Sequence, residues 1–147
     1  MQHLRRTLFS AVILALAACA KEDSPEQQVR AVIDEIEAAA EARDVGDVME
    51  HVSNQYRNAD GQSRDEISRY VHGYFIANQS MRLLTRVEQI DFPSQEEAKA
   101  KVLVGMIGRE AQTGADWNLV ADLYEFDVVF IREGDGWKAT YAEWNRR

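Results

Sequence analysis

The chain carries one cysteine, Cys19, in 147 residues. That scarcity excludes an intrachain disulfide framework and any zinc site built from clustered cysteines. Basic residues are also few. Seventeen Lys and Arg stand against 25 Asp and Glu, a formal net charge of −8. A surface of that sign repels phosphate backbones and argues against nucleic acid as a partner. There are two prolines, no internal repeat and no low-complexity segment. No phosphate-cradling glycine loop, nucleophile elbow or cysteine pair is present. The length fits one domain.

What is there begins with an address. His3, Arg5 and Arg6 precede an apolar run from Leu8 to Leu16. Nine residues are too few for a membrane-spanning helix, which needs about 20. A basic start, a short apolar run and small residues before a cleavage point describe a secretory signal. Removing residues 1–18 takes away Arg5 and Arg6 and no acid, so the mature charge falls from −8 to −10. The run ends Leu16-Ala17-Ala18-Cys19, which resembles the lipobox of bacterial lipoproteins. That resemblance implies cleavage before Cys19 and acylation of its sulfur and its new amino group. Two or more acyl chains anchor stably where one is marginal. Ala20 at the next position implies the outer rather than the inner membrane. The expected location is the cell envelope, lipid-anchored and facing the periplasm. Residues 19–28 then read as the lipidated Cys and a polar tether. Residues 29–147 read as the folded domain.

Ser24-Pro25-Glu26 is a helix start, with a capping Ser and Pro at the first helical position. Val29, Val32, Ile33, Ile36 and Ala40 recur at helical spacing to about Arg43, with Glu35, Glu37 and Glu41 assigned to the other face. Asp47 is read as the cap of a shorter second helix. Gln55 to Arg57 suits a short strand, and Asn58 to Gly61 a turn. Ser63 and Glu66 form a capping box for a third helix. Its buried stripe is Ile67, Tyr70, Val71, Tyr74, Phe75 and Asn78.

The period then changes from 3.6 to 2. Leu83, Thr85 and Val87 alternate with charged residues up to Phe92-Pro93. A second alternating run covers Ala98 to Ile107. Trp117 to Arg132 is a third, longer than an ordinary strand and so expected to bend or bulge. Glu133-Gly134-Asp135-Gly136 is a hairpin turn, and Trp137 to Trp144 closes the sheet. The chain therefore reads as α+β: three N-terminal helices packed on a curved, mainly antiparallel sheet of four to six strands.

Three segments resemble the nuclear transport factor 2-like superfamily of cone-shaped domains. They are Asp44 to Met49, Tyr56 with Asp60-Gly61 and Ser63-Arg64, and Gly134-Asp135-Gly136-Trp137-Lys138. The resemblance covers about Val29 to Trp144. It implies a pocket between the helices and the concave face of the sheet, and a homodimer through the outer face. It does not imply one function, since the superfamily holds isomerases, dehydratases and cyclases beside carriers and interaction modules.

Enzymes of the superfamily use a pocket carboxylate, often with His or Tyr. Such a group needs apolar walls to raise its pKa. Asp122, Glu125, Asp127 and Glu143 lie on the last two strands. Strict alternation puts Asp122, Tyr124, Phe126, Val128 and Phe130 on one face, and its aromatic content points that face at the helices. Asp122 is then the catalytic candidate, at the pocket mouth. Tyr56, Tyr74, Asp122 and Tyr124 are the candidate ligand-binding residues. His51 and His72 pair with no other ligand and read as capping or surface residues. No cofactor or metal is called for. The first functional reading is a non-enzymatic, membrane-anchored lipoprotein that binds a small apolar ligand or a protein partner. The alternative is a small polyketide-cyclase-like isomerase or dehydratase with Asp122 as general base.

Overall fold

The computed structural model describes residues 22–108 and 122–147. Cys19 and its lipobox therefore lie outside the described residues, as does the expected strand start from Trp117 to Ala121.

Helix α1 runs Pro25–Ala42, with the Ser24 hydroxyl accepting from the Gln27 backbone N–H and the Gln27 side chain answering at Ser24. It ends at Arg43, which takes the left-handed conformation (φ 57°). Helix α2 is Val45–Glu50, and its cap is Asp44, not Asp47. The left-handed Arg43 turns the chain, so the next extended residue, Asp44, is the one whose carboxylate reaches the Asp47 N–H (3.0 Å). Strand β1 is Val52–Asn58, and α3 is Arg64–Ala77 with the Ser63–Glu66 capping box in place. Strands β2 (Met81–Asp91), β3 (Glu97–Gly108), β4 (Asp122–Glu133) and β5 (Gly136–Arg146) follow.

The folded unit starts earlier than residue 29. The Gln28 Oε1 accepts from Trp137 Nε1 and Arg132 Nη2, both at 3.2 Å, so the first turn of α1 is bonded to the sheet. Residues 25–28 are thus part of the domain, and the polar stretch before it is shorter than composition suggests.

The sheet order is β1-β5-β4-β3-β2. β2 to β5 form an antiparallel meander, and β1 joins β5 in parallel. Register shifts at Val87/Gln89 and at Val129/Phe130 interrupt the β2–β3 and β4–β5 ladders. Such irregularities bend strands and raise local twist. The curved sheet wraps α1, whose Val29 and Ile33 pack on Ala98, Ala100, Val102, Phe130, Trp137 and Ala139. That cluster closes the narrow end of the cone. Small residues at 98, 100 and 139 let the helix approach the sheet closely. Two further clusters, around Phe75 and around Tyr56, tie α2 and α3 to the rest.

The outer face of the sheet carries the other register set. Lys101 bridges Glu125 (3.2 Å) and Asp127 (3.3 Å), and Arg147 also pairs with Glu125. These partners hold the Glu125 carboxyl below the usual range, Lys101 contributing most. Glu143 accepts from the Tyr141 hydroxyl (3.2 Å).

Candidate functional site

A cavity of about 310 Å³ lies between the three helices and the concave face. Its inner end is made by Ile33, Val102 and Phe130, which are all buried. Exposure rises toward the far end, where Tyr70 is 52% exposed. Tyr74, Met106, Tyr124 and Trp144 complete that outer rim. α1 supplies one wall through Ile36, Glu37 and Ala40, and β2 supplies Leu83 and Thr85.

Strand alternation explains the opposite wall. Tyr124, Phe126, Val128 and Phe130 all line the cavity. Trp144 stands opposite Phe126 in the β4–β5 register and stacks on it, with ring centroids 5.9 Å apart. Tyr70 tilts against Trp144 at 6.2 Å, and Tyr124 against Phe126 at 6.4 Å. Four rings from α3, β5 and β4 therefore form one continuous aromatic surface.

The polar groups of the lining are mostly phenols. Tyr56 is 3% exposed, and burial pushes its hydroxyl up to about 12, with Tyr141 adding to the effect. The Tyr74 hydroxyl is also pushed upward, first by burial and then by Tyr124, Asp122 and Tyr70. Both are neutral donors at pH 7. Tyr74 donates to the Met106 sulfur at 3.2 Å. A thioether is a weak acceptor, so a better one on a ligand can take that hydrogen bond.

Tyr56, Tyr74 and Tyr124 line one cavity, as three of the four ligand-binding candidates. Asp122 shares the strand face of Tyr124 but stands beyond the lining, at the rim. Its carboxylate is paired with Arg146. The two come together because Arg146 is opposite Tyr124 in the register, one step diagonal from Asp122. His72 is exposed on α3. His51 caps α2, and its Nε2 lies 3.6 Å from Glu35. Among the described residues no group of three His, Cys, Asp or Glu side chains is placed to hold a metal.

Three site residues escaped the sequence reading. Trp144 read as the end of the closing strand, and Met106 as an ordinary strand position. Glu37 was placed on the outer face of α1, yet it lines the cavity. Glu41, one turn on, reaches the edge strand β2 and accepts the Leu83 N–H at 2.8 Å. The reason is geometric. α1 touches the other helices on one side and β2 on the other, so its inward arc is wider than its apolar stripe. The i, i+4 row Ile33, Glu37, Glu41 marks the added edge. Tyr70 departs in the other direction: the helical stripe buries it, but its position at the open rim leaves half of it in solvent.

No protein-family profile matches the sequence, and no curated protein matches it. Solved structures do match the fold. A proposed scytalone dehydratase from Novosphingobium aromaticivorans superposes with a TM-score of 0.71 at 13% identity, covering 83% of both chains. A proposed dehydratase of the nuclear transport factor 2-like family from Streptomyces avermitilis gives 0.68 at 15% identity, over 83% of this chain and 96% of that one. A ketosteroid isomerase-like protein from Erwinia carotovora atroseptica gives 0.60 at 11%, over 81% and 93%. The fold is the cone-shaped nuclear transport factor 2-like one. At these identities the likeness extends to the fold and no further.

Proposed function

We propose that this protein is a lipid-anchored protein of the bacterial envelope, acylated at Cys19, whose cone binds a small apolar ligand without transforming it. The observation that carries the binding reading is the cavity of about 310 Å³ lined almost wholly by aliphatic and aromatic side chains. That volume is at the low end of the roughly 300–1,000 Å³ of small-molecule sites. An apolar body fills the space toward Phe130, and the Tyr74 hydroxyl is turned to meet a polar atom near the rim.

The isomerase or dehydratase reading has less support. It needs a carboxylate desolvated inside the pocket. Asp122, at the pocket mouth, is paired with Arg146, and Glu37, the one carboxylate among the described lining residues, has no His beside it there. Among fold relatives both binding and catalysis occur, so the likeness favours neither.

Met81 and Met106 both line the cavity and make it observable. Titration of the methyl-labelled protein with n-octanol is expected to shift both methyl resonances together and to saturation. Unmoved Met81 and Met106 methyls at millimolar octanol reject the reading.

A further inference from the structure

We propose that the cavity selects ligands whose apolar body ends in an ammonium group. The inference rests on the cavity being a ligand site and names the class of ligand. Two independent features of the lining point to it.

The first is the sign of its charge. Glu37 is the one charged side chain among the described residues that line the cavity. None of the ion pairs among the described residues includes it. Among the described residues no Lys, Arg or His joins the lining. Arg146, beside the rim, is paired with Asp122. A lone carboxylate beside apolar walls sets the sign of the local field. An anionic ligand meets Glu37 with nothing to compensate it. A cationic one meets a partner.

The second is the aromatic surface. Tyr70, Trp144, Phe126 and Tyr124 follow one another at 5.9–6.4 Å between ring centroids. Aromatic faces carry negative charge density and attract cations, Trp most strongly, and ring clusters of this kind recognise alkylated ammonium groups. A surface built only to bind hydrocarbon has no need of four rings where Leu and Val serve. The strong net acidity of the chain acts in the same direction, by drawing cations toward it.

The test compares three probes with one tail: n-octyltrimethylammonium, n-octanol and n-octanoate. Each is titrated calorimetrically at pH 7 into the mature chain freed from the membrane by Cys19→Ser. The cation is expected to bind about tenfold more tightly than octanoate, the scale of one to two desolvated cation–aromatic or ion contacts. Glu37→Gln is expected to lower the cation-to-octanol affinity ratio about fivefold. Tyr70→Leu, at a half-exposed position, is expected to weaken the cation more than octanol, and so tests the aromatic part without relying on Glu37. Octanoate binding as tightly as the cation overturns the proposal, as does an unchanged cation-to-octanol ratio in both variants. Octanol binding without the cation overturns this inference and leaves the apolar-ligand reading standing. Failure of all three probes overturns both.

Discussion

Phe126 and Trp144 face each other across β4 and β5, with ring planes 28° apart and centroids 5.9 Å apart. The stack joins the last two strands near the open end of the cone. It also makes a wall of the cavity. One pair of side chains therefore serves the fold and the site together.

Trp144→Ala should expose this dual role. It removes the stack on Phe126 and the contact with Tyr70. The expected cost is about 2 kcal/mol, below the usual 3–5 for a Trp truncation because Trp144 is only half-buried. Urea unfolding reads the stability, and octanol titration should show weaker binding. A variant as stable as the parent would mean that the stack contributes nothing to the sheet.

Val104 lines the cavity from β3. Val104→Phe places a ring in open space, not in a packed core. Overpacking normally costs about 1–3 kcal/mol; here the expected change in stability is under about 1 kcal/mol, with loss of octanol binding by tenfold or more. Thermal melts and Met106 methyl shifts measure the two effects. Severe destabilisation would show that the space is already filled.

Tyr56 gives a prediction in alkali. Its hydroxyl ionises near 12 in the fold against an ordinary 10. The fold thus favours the neutral phenol. The associated stability is fully present below pH 10 and is lost as pH rises from 10 through 12. The gap corresponds to roughly 2–3 kcal/mol. Tyr56→Phe should flatten the stability profile over that window, measured by urea unfolding at a series of pH values. An unchanged slope would remove Tyr56 as its cause.

Much of this was legible beforehand, and the reasons are specific. Ser63 and Glu66 cap α3 because side-chain hydrogen bonding at a helix start is local, and local chemistry is written in adjacent residues. The alternation Tyr124, Phe126, Val128, Phe130 put those four on the cavity side because the pleat has a fixed period. What failed was set by tertiary contact. Glu37 and Glu41 look like solvent residues on a helical wheel, and only the packing of α1 brings Glu37 to the cavity and Glu41 to β2. Asp122 is on the inward face of β4 at the pocket mouth, as alternation implied; only its pairing with Arg146 came from the β4–β5 register, which periodicity does not give. The parallel pairing of β1 with β5 was likewise invisible, since periodicity says nothing of which strands meet.

The anchor has its own test. Cys19→Ala removes the thiol that lipid transfer requires. The protein is then expected to leave the membrane fraction and lose its labelling by radioactive palmitate. Membrane attachment that survives the substitution, without label in the parent, would refute acylation.

Native mass spectrometry of the chain produced without its first 19 residues tests the central claim most directly. The account predicts an added mass that survives gentle ionisation and leaves on denaturation. That mass should be displaced by octanol and absent from Val104→Phe. A bare protein mass that stays bare after incubation with octanol would contradict the account, and would mean that the cone is not a ligand site.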